Sequence, residues 1–388
     1  FSNPIICLDG DKSGQQAALR IAERLLRKFP EGMEGVAVVV PSRRGIVFLR
    51  EYLSRRIKEP IFLPDFYSIE DFIEKLSGLQ VLDNISLQFR LYKAYSSICS
   101  DDVLPFDDFL HWGGVLLNDF NDIDRSLIDA ESIYSNIRNV KELENWSIED
   151  WSLSDSKLTS LQSNYVDFFS SMYHCYNKFK EDLLQNNIAY QGLAYRTASE
   201  NIKNINIEWN KVWFVGLNAL TLSEQEIINY LKEIDVARIF WDADEYYYNN
   251  NHEAGSFLRV QREKWKEIDF KGVDDYYSIP KQSFKVIACP NNICQTKAAS
   301  ELITSFPKED LENSHTAIIL ADELLLFPLL GNLPSNVKSL NVTMGSPLKN
   351  TTLYSFIDLI FAMQINMLKY NKDAFYYKDV LDVITHPY

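Results

Sequence analysis

The chain is 388 residues long, room for about two or three domains, and its 46% apolar and 13% aromatic residues can bury a large core, which excludes wholesale disorder. Fourteen glycines and thirteen prolines are too few for a collagen-like or linker-dominated chain. The formal charge of −15 excludes an evenly basic nucleic-acid binder, yet residues 20–58 hold ten Lys/Arg against four Glu, so any polyanion contact is expected in that stretch.

In chain order, Pro4–Leu8 (PIICL) reads as a short buried strand, followed by the turn Asp9-Gly10-Asp11-Lys12-Ser13-Gly14. A helix is predicted over 15–28, with Ala18, Ile21, Ala22, Leu25 and Leu26 on one face. Val36–Val40 (VAVVV) is a β-branched run of the kind buried in a parallel sheet. Ser42 is placed to cap the next helix, which carries Ile46, Leu49, Leu53 and Ile57 on one side and Arg43, Arg50 and Arg56 on the other. Strand and helix alternate, as in a parallel α/β sheet. Residues 68–200 differ: they hold long helical patterns, including the stripe Leu161, Tyr165, Phe168, Phe169, Met172, Tyr176, Phe179, Leu183, and almost no β-rich run. A helical insert within the sheet domain is the natural reading.

The α/β pattern returns at Lys211–Gly216 (KVWFVG), a helix over 223–231 with Ser223 and Glu226 as capping box, and Val236–Trp241. A boundary is expected near 275–284. Strands Phe284–Ala288, Thr316–Leu320 and Leu340–Met344, with helices over 296–306 and 353–367, then predict the start of a second α/β domain.

Three constellations could carry chemistry, and one expected of a nucleotide enzyme is missing. No G-x-x-x-x-G-K-[ST] loop occurs, and the first strand-to-helix turn of this sheet reads VPSRR, so the strongest sign of nucleotide hydrolysis is absent. Asp9 and Asp11, one glycine apart, could share a Mg²⁺ ion; a solvated turn is the plainer alternative. Arg43 and Arg44 begin a helix after a sheet strand, and with Arg50 they could grip phosphates; a solvated helix face is the plainer alternative. Gly216 and Leu217 stand where a hydrolysing sheet would place an Asp-Glu pair, and Asp242, Asp244 and Glu245 make an acidic loop after the next strand.

The five cysteines (Cys7, Cys99, Cys175, Cys289, Cys294) and five histidines form no zinc spacing, and their odd, scattered count fits reduced thiols in the cytoplasm. No apolar run reaches ~18 residues, so no membrane partner is expected. The opening has no Met and the chain stops at VLDVITHPY, from which a fragment of a longer protein is expected.

Two resemblances follow. CLDGDKSGQQAALRIAE resembles the Toprim domain of bacterial primases, which implies a Mg²⁺-dependent nucleotidyl transferase with Asp9 and Asp11 on the metal. From about residue 28 onward, the ordered series VAVVVPSRRGIVFLREYL, FLPDFYSIEDFIEKLSGLQ, FDDFLHWGGVLLNDFNDID, VWFVGLNALTLSEQEIINYL, HEAGSFLR and IILADELLLFPLLGNLPSNVKSLNVTMGSPLKNTTLYSFIDLI resembles the N-terminal part of AddB-type helicase–nuclease subunits. More narrowly it is similar to PD-(D/E)XK nuclease family proteins with an inactivated superfamily I helicase region.

That resemblance implies a degenerate helicase-like P-loop NTPase fold: 28–67 with 201–283 as the first motor-like domain, 68–200 as its insert and 284–388 as part of a second, with 1–27 a Toprim-like fragment, even one joined by fusion. It also implies DNA repair or recombination with DNA as ligand, an ATP-hydrolysing helicase subunit as partner, no cofactor in this stretch, and Mg²⁺ in a separate nuclease domain that holds the catalytic residues. A protein–protein platform is the remaining expectation, from the acidity and the aromatic-rich insert.

Overall fold

Val36–Val40 (β1) is buried along its whole length, because each side of it meets a different core. Val36, Val38 and Val40 pack with Trp213 and Val215, whereas Ala37 and Val39 pack with Val212 and Phe214. Alternate residues point to opposite faces, so a strand that is apolar at every position needs helices on both sides. The computed structural model describes residues 12–98, 103–137, 160–241, 243–249, 251–265, 273–274, 285–312, 316–345, 347–370 and 373–388. It divides into two units, Phe1–Pro280 and Lys281–Tyr388.

In the first unit, α1 (Lys12–Lys28) precedes β1, and α2 (Arg43–Arg56) leads to β2 (Asp65–Ser68). The helix α3 (Ile69–Ser77) and the two-residue strand β3 (Gln80–Val81) open the insert, which contains α4 (Asn84–Ile98), α5 (Phe106–Arg125), α6 (Ala130–Ile137) and α7 (Ser160–Gln185). The chain leaves it through β4 (Ile188–Ala189) and α8 (Gln191–Asn201), then forms β5 (Lys211–Val215), α9 (Leu222–Glu233) and β6 (Ala237–Phe240). The four-stranded sheet runs β2-β1-β5-β6, parallel throughout. α1 and α2 cover one face; α3, α8 and α9 cover the other.

A mixed α/β fold with a parallel sheet interrupted by helices is therefore present, and helix predominates at 62% because the insert is large and the sheet small. The insert has its own core, from Leu79 to Ala194. Its doorway is the parallel pair Gln80↔Ile188 and Val81↔Ala189. The expected limits of 68 and 200 shift inward, since Ile69, Phe72, Ile73 and Leu76 of α3, and Tyr195 and Ala198 of α8, belong to the sheet core. α1 packs in the same layer: Ala18, Ile21, Ala22 and Leu25 share the core of β1 and α2.

The rest of the first unit holds the bridge β7 (Ala243–Asp244) with β8 (Val273–Asp274), and the helices α10 (Glu245–Asn249) and α11 (Ser256–Trp265). The second unit comprises α12 (Asn292–Thr304), α13 (Lys308–Glu312), α14 (Leu326–Asn332), α15 (Thr352–Lys369) and α16 (Tyr377–Ile384). Here the expectation of a second α/β domain needs correction. Helices form near the predicted positions, but 285–288, 316–320 and 340–344 are not strands, and no strand occurs among the described residues of this unit. Val286 is 94% and Ile319 92% exposed, incompatible with a sheet covered on both faces.

Candidate nucleic-acid interface

The chain goes from β1 to β2 in one direction along the sheet and returns to β5 on the other side of β1. The switch point thus lies between β1 and β5, and in open α/β sheets ligands bind outside the carboxyl ends of the strands at such a point. The β1 end supplies Pro41, Ser42, Arg43 and Arg44. The β5 end supplies Gly216, in a left-handed conformation (φ 68°), then Leu217 and Asn218. Neither end brings the phosphate loop or the acidic pair of a hydrolysing enzyme.

Ser42 has the extended backbone of an N-cap but makes no side-chain capping bond. Beyond it, Arg43 sits in the first helical turn, where the helix dipole disfavours a cation. Asp71 offsets this: Arg43 Nε donates to Asp71 Oδ2 (3.0 Å) and Nη2 to Oδ1 (2.6 Å), a two-pronged pair. Ser68 caps α3, its hydroxyl accepting from the Asp71 amide and donating to Asp71 Oδ2 at 2.6 Å. The Arg43 guanidinium, together with Ser68, holds the Asp71 carboxyl below the usual carboxylate range. Arg43 nevertheless remains 80% exposed.

The larger feature is a layer. α1 and α2 lie side by side, each turning an apolar stripe to the sheet. Together they carry ten Lys/Arg and only two Glu, a surplus of eight positive charges in a chain whose total is −15. Arg27, Lys28, Arg43, Arg44, Arg50, Arg55 and Arg56 are exposed. Both carboxylates are engaged: Glu51 with Arg55 (2.5 Å), Glu23 with Arg56 (2.9 Å), the second pair joining the two helices. Arg50 stacks on Phe66, 5.3 Å from the ring centre, and Lys28 stands 5.6 Å from the Trp213 ring.

The structure thus brings Arg43, Arg44 and Arg50 onto one helix of this basic layer. Asp9, Asp11 and Asp242 lie outside the described residues. Asp244 is buried and its Oδ1 accepts from the Tyr246 amide, while Glu245 accepts from Asn249. Among the described residues no group of three metal-ligating side chains could hold an ion. No family model and no curated protein matches the chain. No helix among the described residues is long and apolar enough to cross a membrane.

Two polar clusters escaped the sequence reading. Asp124, fully buried, accepts from Tyr176 (2.5 Å), from Tyr190 and from Arg196 Nε (2.6 Å), tying α5 to α7 and α8. Burial beside this carboxylate pushes both tyrosines well above their usual range. At the end of α5, the Arg125 carbonyl accepts from Ser223 Oγ (2.8 Å), and Arg125 Nη2 lies 3.9 Å from Glu224. Burial raises the Glu224 carboxyl, opposed by the Thr221 amide and Arg125. This second cluster anchors the insert to the sheet domain. Its only sequence signal is the run Thr221-Leu222-Ser223-Glu224, whose capping box uses Thr221 and Glu224. Ser223, the expected cap, instead holds Arg125.

Proposed function

We propose that this chain is a non-hydrolysing, helicase-like scaffold of a DNA repair or recombination nuclease of AddB type, holding DNA beside an ATP-hydrolysing partner subunit. The observation that carries the reading is the switch point: a parallel sheet split by a helical insert presents VPSRR after β1 and Gly216-Leu217 after β5, where nucleotide chemistry would require a phosphate loop and carboxylates. The ordered resemblance over about 360 residues supports the helicase-like, degenerate P-loop form. Cleavage with Mg²⁺ is assigned to a separate nuclease domain. In steady-state assays with single- and double-stranded DNA, the purified chain should release no phosphate from ATP above background. Turnover that Arg44→Ala abolishes would overturn the proposal.

A further inference from the structure

We propose that the outer face of α1 and α2 is a phosphate-backbone surface that holds duplex DNA without entering its grooves; the proposal rests on DNA being the ligand, as read above. Three observations lead to it. The first is charge: eight surplus positive charges on two neighbouring helices, while the remainder of the chain is strongly negative, make a local field that attracts a polyanion. Cations in the last turns, Arg27, Lys28, Arg55 and Arg56, also complement the helix dipole and have a structural reason to be there. Arg43 and Arg44 do not complement the dipole. They stand at the wrong end of α2, with no acidic residue in its first turn, and Asp71 compensates Arg43 from another helix. A local rule broken in this way is expected where function requires the group.

The second observation is shape. Two packed helices form a face about 20 Å across, from interaxial distances of 8–10 Å and diameters of 10–12 Å. The major groove, about 12 Å wide, admits one helix and not a layer of two. The phosphates are therefore what the layer meets. The third is composition. On the described part of this face Val47 is the one large apolar side chain that is largely exposed, and the α2 aromatics Phe48 and Tyr52 are only partly exposed, so the face offers arginines and lysines before it offers open rings to unpaired bases. Duplex, with its greater charge density, is favoured over single strand.

The test is retention of a labelled 30-base-pair duplex by the full chain between about 50 and 200 mM salt. Binding should fall steeply with salt and be equal for duplexes of unrelated sequence. The triple variant Arg27→Gln, Lys28→Gln, Arg50→Gln should lower the slope of log K against log salt by up to ~2.7, at ~0.9 for each phosphate no longer neutralised. Lys93→Gln, Lys203→Gln and Lys349→Gln together remove the same charge elsewhere and should leave the slope unchanged. Equal slopes for the two triple variants would overturn the proposal. So would single strand bound tenfold more tightly than duplex, or capture by anionic vesicles with duplex ignored. ATP turnover with this binding intact would sink the scaffold reading alone; single strand held with duplex ignored, and no turnover, would sink this one alone.

Discussion

Asp124 is the most consequential single residue of the insert. A fully buried carboxylate with two tyrosines and an arginine as donors is stable only while all its partners remain. Asp124→Ala leaves the largely buried Arg196 with only the exposed Glu200 (3.2 Å) as counter-ion and strands two tyrosine hydroxyls, and should cost about 3 kcal/mol in urea unfolding. Tyr176→Phe removes one donor and should cost about 1 kcal/mol. Arg43 and Asp71 offer a titration instead. The folded-state pKa of Asp71 is depressed, so the pair's contribution is complete above the unfolded value of about 3.9 and disappears as pH falls through the lower folded value. Arg43 is largely exposed and Asp71 part-buried, so solvent screening keeps the effect on stability small. Carboxyl NMR should place the Asp71 midpoint below that of an unpaired aspartate, and Arg43→Gln should raise it. Neither partnership could be read from the sequence. Asp71 lies 28 residues from Arg43, and Asp124 lies 52 to 72 from its donors, in a helix where an aspartate looks solvated.

At the scale of elements, legibility followed burial. β1 is a continuous apolar run and β5 is one after its first residue, Lys211, so both are legible in the sequence to within a residue, because a strand covered on both faces advertises itself. β2, Asp65–Ser68, was not, since it is a sheet-edge strand with one buried residue and no β-branched run. In the second unit the failure ran the other way: apolar runs of strand composition exist without neighbours to pair with among the described residues. Composition states what a strand could be, and pairing decides whether it forms. Two junctions make testable elements. Gly192 of α8 lets its helix approach α5 so closely that an added Cβ would lie 2.2 Å from the Asn121 carbonyl oxygen. That neighbour is backbone and cannot give way cheaply. Gly192→Ala should destabilise by about 1–3 kcal/mol in chemical denaturation. Thr221→Ala, which removes half of the α9 capping box, should cost about 1 kcal/mol.

For the whole molecule, charge separates what the fold assembles. The sheet domain turns its basic helices outward on one face, and the switch point at the carboxyl ends of its strands has arginines but no phosphate loop. On the proposed reading these two facts belong together: DNA would be held electrostatically, with no nucleotide cycle acting on the hold. The most direct measurement is duplex affinity at fixed salt with and without saturating ATP and Mg²⁺. The account predicts the same dissociation constant in both conditions. A shift of tenfold or more, about 1.4 kcal/mol of coupling between nucleotide and DNA, would contradict it.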